Sequence, residues 1–376
     1  MKRLVSFLLL ASLGVLLTLL IVINLSPLLF GTESLGDYGS FHASGQLARA
    51  GQNPYAAGSS LIFRPTVLGQ EVNALNLNPP SILPLFELIA LVDPARGLLM
   101  WRIFSIVCYG AALALIWHAF PDRRSLLGVA WAVSVAGLYH VLDMGQIYGP
   151  MALGVTCAYL ALVRRHYVVG GILIGVLTAV KPNLALWPAA LLLIGYWPVT
   201  RAAIAAFAVT SALPLVRYDP SIYGAWLSAS ASFDGYGIPG NSSFVGLSAR
   251  FNAPVVGYGL AICAVAALGV YSLRARPSLP VLSASALSVA LLASPIAWAG
   301  YLVLVTPILL SIDLPRLSRC GALLLIVPFP FMYEAGVTAW GAVPFGFLYG
   351  WALLLIVSGL VLQSTRQAHT VPPLAS

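Results

Sequence analysis

Asp37 opens the most polar stretch in the first third of the chain, "GDYGSFHASGQLARAGQNPY" (36–55), directly after a long apolar run. A carboxylate at such a boundary can accept a proton from a substrate hydroxyl. It can equally cap a helix running from Tyr38 to about Ala50, with Gly51 placed for a left-handed C-terminal cap. Both roles are open on spacing alone. Helical periodicity puts Tyr38, Phe41, His42, Gly45 and Arg49 on one face of that helix. Further along, Asp143 and Gln146 interrupt an apolar stretch in "LDMGQIYG" (142–149), and Lys181, one of two lysines, stands beside Pro182 and Asn183. Arg64, Arg217 and Arg250 lie in or beside polar loops. Basic groups so placed can neutralise an anionic phosphate, or snorkel to lipid headgroups.

Other chemistry is thinly represented. No P-loop, dinucleotide fingerprint or nucleophile elbow occurs. His42, His118 and His140 have no metal-ligand spacing, and His118 and His140 read as interfacial. Asp37 and Asp143 could share a cation only if the fold joins them, so no metal and no cofactor is expected. "NSSF" (241–244) matches a glycosylation sequon, a weak signal in three residues.

These residues need a scaffold, and composition says which kind. Of 376 residues 60% are hydrophobic and 8% charged, against roughly a quarter charged in soluble domains. The apolar runs are continuous rather than alternating, which excludes barrel strands and predicts an all-α polytopic membrane bundle. Charged breaks at 121–125, 164–166, 201, 274–277, 316–319 and 366 divide it. Spans are then expected near 4–30, 97–119, 125–142, 147–163, 167–180, 184–198, 201–217, 254–273, 279–294, 297–312, 320–334 and 343–362. With those breaks and both termini cytoplasmic, twelve of the 19 basic residues fall inside and nine of the 11 acids outside, as positive-inside topology requires. The net charge of +8 is then topological and does not imply a nucleic-acid partner. The run 79–92 is too short to cross a membrane and carries Pro84 and Glu87, so it reads as a juxtamembrane or partly re-entrant helix on the outer face. The hairpin around 181–183 is short as well. Cys108, Cys157, Cys263 and Cys320 lie in apolar runs and read as unpaired. Trp101, Trp117, Trp131, Trp298 and Trp340 read as an interfacial belt. The expected organisation is one transmembrane domain (1–366), long outer loops at 31–96 and 218–253, and a short cytoplasmic tail (367–376).

Taken in order, several segments resemble glycosyltransferase family 87, membrane mannosyltransferases of the GT-C fold. They are the acidic loop 36–55, "NPP" (78–80), "GQIYGPMALGVTCAYLAL" (145–162), "GGILIGVLTAVKPNLALWPAALL" (170–192), "NSSFVGLSARF" (241–251) and "SPIAWAGYLVLVTPILL" (294–310). The resemblance implies a GT-C-type bundle of about twelve transmembrane helices with juxtamembrane helices in the first outer loop. It implies a polyprenyl-phosphate sugar, mannose, as donor, and a lipid-linked or envelope glycan as acceptor, joined with inversion on the extracytoplasmic face of the cell membrane. Asp37 becomes the general base. Asp143, Gln146, Lys181, Asn241, Arg250, Arg64 and Tyr301 become candidate substrate-binding residues. One departure stands out. Family members often carry Trp-x-His-Tyr after the Ser-Pro, whereas "WAGY" (298–301) has Gly300 at the histidine position. The competing expectations are a secondary transporter or lipid flippase, which would favour ionisable residues near the midplane, and an inactive scaffold.

Overall fold

The computed structural model describes residues 35–56, 66–67, 70–71 and 76–370, with a few positions between 14 and 28. Apart from a two-residue antiparallel hairpin, Thr66–Val67 with Gln70–Glu71, the described residues form helices and turns. In chain order the helices are α1 (Gly36–Arg49), α2 (Leu83–Ile89), α3 (Pro94–Ala119), α4 (Leu126–Ser134), α5 (Ala136–Met144) and α6 (Tyr148–Val163). Next come α7 (Tyr167–Val180), α8 (Leu186–Leu193), α9 (Trp197–Ala212), α10 (Ser221–Ala231), α11 (Phe244–Ala249) and α12 (Pro254–Ala275). The last five are α13 (Leu279–Ala293), α14 (Thr306–Leu309), α15 (Arg316–Leu324), α16 (Phe329–Gly336) and α17 (Leu348–Thr370).

Among the described residues four helical segments are long and apolar enough to cross a membrane: α3, α9 with its 3-10 extension to Val216, α12, and α17. Two bent pairs, α4 with α5 and α15 with α16, raise the number to six. The protein is therefore a polytopic helical membrane protein, but the expected twelve full spans are not seen. The first expected span, 4–30, lies outside the described residues, as does the tail beyond residue 370.

Local chemistry explains several shortfalls. Between α4 and α5 the chain is extended at Val135, and the Ala136 N–H donates to the carbonyl of Leu325 rather than continuing the helix; the axis turns by 42°. Pro328 precedes α16, and there the turn is 85°. The expected span 297–312 is instead a 3-10 turn (Ala299–Leu304) followed by the single turn α14. Its residues are buried, so it is a core plug and not a lipid-facing helix. Helix α13 is buried on all sides. Its Ser283, Ser285 and Ser288 are inaccessible, and Trp187 Nε1 donates to Ser283 Oγ at 3.1 Å. The run 79–92 is short, as expected: a 3-10 turn leading into α2.

Helix α1 lies against α2. Phe41 stacks on Phe86 with ring centroids 4.7 Å apart, and a side chain at Gly45 would collide with the Phe86 carbonyl. Arg217 closes the far end of α1, donating to the carbonyls of Ala48 and Arg49 while pairing with Glu87. Tyr218 donates to the same carboxylate at 2.7 Å. A cation on the terminal carbonyls complements the negative end of the helix dipole. Arg217 is thus committed to this clamp and is not free to bind phosphate. The opposite end of the bundle carries the basic loops, where Arg123 and Arg319 converge on Asp313 at 3.6 and 3.2 Å. The 26-residue α3, about 39 Å long, separates them from α1. Two of the loops read as cytoplasmic, 121–125 and 313–319, therefore share one end, away from α1.

Candidate active site

Asp37 sits in the first turn of α1, two residues past the position that caps it. The residue at the cap position is Leu35, which makes no side-chain capping bond. The expected C-terminal signal does operate. Gly51 has φ +72°, and the N–H groups of Gly51 and Gln52 return to the carbonyls of Ala48 and Leu47. With capping removed, the Asp37 carboxylate turns inward, where Oδ2 accepts from Gln146 Nε2 at 2.8 Å.

Two glycines make that contact possible. Gly36 (φ +52°) and Gly145 (φ +62°) are both left-handed. A Cβ on Gly36 would lie 2.7 Å from the Met144 Cα, and one on Gly145 would lie 2.6 Å from the Tyr38 Cβ. Only glycine tolerates both the conformation and the approach, so the start of α1 and the end of α5 interlock. Gln146 is pinned from its backbone: its N–H donates to Val141 and its carbonyl accepts from Trp101 Nε1 at 3.1 Å. Burial raises the pKa of Asp37 above the ordinary carboxylate range. The hydrogen bond from Gln146 and the charge of Lys181 pull the other way and offset part of that rise.

Asp37 and Gln146 line a cavity of about 460 Å³, within the usual range for ligand pockets. Lys181 lines it too. The helix α7 ends there because a residue before proline avoids the helical conformation, and Lys181 is extended with φ −139° and ψ 94°. Its ammonium lies 5.3 Å from the centre of the Tyr148 ring and 5.4 Å from that of Tyr301, with the Tyr301 hydroxyl at 3.4 Å. The two tyrosine rings pack at 4.1 Å. Among the described residues no carboxylate lies within ion-pair distance of Lys181. The cavity therefore holds an acceptor-only group and a cation held by aromatic faces, without an ion pair between them. Around them stand two kinds of wall. Trp226, Phe233, Tyr236, Trp298, Phe329 and Tyr333 supply aromatic surface. Asn78 Oδ1, Asn183 Nδ2 and Ser230 Oγ are buried polar atoms with no partner among the described residues, on residues that also line the cavity. Such atoms are costly unless a ligand or water engages them.

The model of glycosyltransferase family 87 matches residues 76–295, more than half of the chain. The chain belongs to glycosyltransferase family 87. This family 87 protein is a membrane glycosyltransferase; Gln146, Lys181 and Asn241 fall within the matched stretch, while Asp37 and Tyr301 lie outside it. No curated protein matches it. No solved structure matches it either.

The remaining candidate residues of this family 87 chain are placed differently from expectation. Asp143, at the exposed end of α5, does not line the cavity; its backbone carbonyl accepts from Arg102 Nη2 at 3.2 Å. Asp37 and Asp143 therefore share no site. Arg250 does not line the cavity either. Its Nη2 donates to the carbonyls of Ile238 and Asn241 at 3.3 and 2.9 Å, bracing the loop before α11. Burial lowers its pKa to about 10, which leaves it charged at neutral pH. Arg64 lies outside the described residues. Asn241 is fully buried and does not line the cavity. Its Nδ2 donates to the carbonyls of Tyr236 and Pro295, and its Oδ1 accepts from Ser243 and Ala297 N–H. It knots the 236–243 loop to the 294–298 turn that carries the cavity wall, and leaves no free amide for a glycan in the folded chain. Asn241→Leu is expected to strand three backbone groups, since the Pro295 carbonyl keeps its bond from Ser243 Oγ, and to cost at least about 3 kcal/mol, read as a lower Tm in detergent.

Several lining residues were not legible as such. His140 is buried, beside Gln146, with its ring edge-on to Phe329 at 4.4 Å. Trp298 and Trp226 are cavity wall, and Trp101 is core. Tyr148 had a signal, two residues after Gln146 in "GQIYG". Nothing along the chain ties α10 or α16 to Asp37. The four cysteines are unpaired, as expected.

Proposed function

We propose that this chain transfers a sugar, mannose, from a polyprenyl-phosphate donor to a hydroxyl of a lipid-linked or envelope glycan, with inversion at the anomeric carbon. The observation that carries this is the presence, in one cavity of about 460 Å³, of an inward-turned carboxylate and a cation that, among the described residues, makes no ion pair. Asp37 takes the proton of the acceptor hydroxyl as that oxygen bonds to the anomeric carbon. The bond from that carbon to the phosphate oxygen breaks, and polyprenyl phosphate leaves with the electron pair. Its added negative charge falls beside Lys181, a preorganised cation in a site of low dielectric. The aromatic wall suits the apolar faces of sugar rings, and Asn78, Asn183 and Ser230 suit their hydroxyls. No cofactor or metal beyond the donor is invoked. The convergence of the basic segments 121–125 and 313–319 away from α1 supports an extracytoplasmic cavity in the cell membrane with both termini cytoplasmic.

The test supplies purified protein with polyprenyl-phosphate mannose, radiolabelled in the sugar, and an extract of membrane lipids and glycans. The expected result is labelled product with the opposite anomeric configuration and one polyprenyl phosphate released per sugar. Transfer from a nucleotide sugar but not from the lipid donor would overturn the donor assignment. Flux of the lipid across vesicles without any bond formation would overturn transfer itself.

A further inference from the structure

Gly300 carries no side chain, and the space it leaves is occupied by the neutral amide of Gln146. A Cβ at position 300 would lie 2.0 Å from Gln146 Oε1 and 3.2 Å from Gln146 Cδ and Val141 Cγ2. The same amide donates through Nε2 to Asp37 at 2.8 Å, and Gln146 is only 2% exposed. Its backbone is fixed at both ends by Val141 and Trp101, so the side chain has little freedom to retreat without losing Asp37. We infer that Gln146 is a positioning residue for the Asp37 carboxylate, and that glycine at position 300 is what allows its amide to stand there. The inference rests on the transfer reading for its catalytic meaning, but the coupling of the three residues stands apart from it.

The geometry explains the function of such a contact. A carboxylate has two oxygens. Holding Oδ2 with an N–H leaves Oδ1 as the open acceptor towards the cavity and restricts rotation of the group. The contact also favours the ionised form, the form that can act as base. A lysine in this position would neutralise the base too strongly, and an apolar residue would leave it unanchored. An amide does neither.

The test is a double-variant cycle on the full-length protein with Gly300→Ala, Gln146→Ala and both together. Alone, each change is expected to lower kcat roughly ten- to a hundredfold, the range for one hydrogen bond to a charged group, with little change in KM. In the Gln146→Ala background, Gly300→Ala is expected to add nothing further, because its collision partner is gone. A second readout needs no substrate. The dependence of Tm on pH, taken as the difference from Asp37→Asn, reports the titration of Asp37. Asp37 is faced by Lys181, Tyr148 and Tyr301, with His140 beyond Gln146, and a His140→Asn background removes the imidazole beside Gln146. Either single change is expected to extend that pH window upward. If the two changes act independently, or neither moves the window, the inference is overturned. If no sugar donor is turned over, the transfer reading fails, while the cycle in Tm still decides the coupling.

Discussion

Asp37→Asn is expected to lower sugar transfer by about a thousandfold or more while raising the melting temperature at neutral pH. The change is isosteric, and the new Oδ1 can still accept from Gln146, so the contact seen at 2.8 Å survives. What is lost is the ability to take a proton, worth about a hundred- to ten-thousandfold in general-base catalysis. The stability gain has a separate cause. Burial raises the pKa of Asp37 in the folded protein, so the folded state binds this proton more tightly than the unfolded chain does. Stability from this group is then greatest below the unfolded value of about 3.9. It is lost as pH rises through the window up to the raised folded pKa. Above that window the wild type carries a constant penalty that Asn does not. Melting curves of the two proteins should therefore diverge as pH rises and converge in acid. Activity behaves oppositely: kcat of the wild type should fall as pH drops through the raised pKa, because only the ionised form is a base. Single-turnover transfer across pH checks both. Equal turnover by the variant would remove Asp37 from the chemistry.

The two outcomes explain why a nearly charge-free chain keeps a carboxylate where it costs stability. They also show which parts of the site a linear reading can reach. Asp37 and Lys181 were legible because charge is rare here and each falls at a break in apolar periodicity: α1 begins at one and α7 ends at the other. Gly51 was legible because helix termination is local. Capping by Asp37 was equally local, but it failed because Gly36 and Gly145 draw the N-terminus of α1 onto α5, and tertiary contact overrode the cap. The reach of Asn241 and Arg250 was legible only as polarity. Whether an amide faces substrate or backbone depends on what the chain brings within 3 Å, and here it brought the 294–298 turn. Full spans were expected at places where, among the described residues, proline and buried serine mark a broken or central helix, since hydropathy cannot distinguish lipid from protein as the apolar neighbour. Segment 297–312 is the clearest case. It is largely apolar and largely buried.

Lys181→Gln is the second change with a large expected effect: about a hundred- to a thousandfold lower turnover, with weakened affinity for the released polyprenyl phosphate. The argument begins with what Lys181 does not touch. Among the described residues no carboxylate pairs with it, so its removal leaves no orphaned acid, and the fold should tolerate the loss. Its ammonium is held instead over Tyr148 and Tyr301 at 5.3 and 5.4 Å, contacts that orient a cation without neutralising it. A cation kept ready in this way stabilises charge that develops only as the phosphate departs, and deleting one such donor typically costs about a hundred- to a thousandfold in turnover. Lys181→Arg keeps the charge but enlarges and flattens it between two packed rings, so only partial activity should return. The two charged residues are also coupled. Lys181 lowers the pKa of Asp37, so in Lys181→Gln the acid limb of the pH profile should move to higher pH, leaving less ionised base at any given pH. Product inhibition by polyprenyl phosphate, measured beside the pH profile of single-turnover transfer, separates the two contributions. Weakened inhibition with a displaced limb is the expected pair. Unchanged inhibition would place the departing phosphate elsewhere in the cavity and leave Lys181 only the task of tuning Asp37.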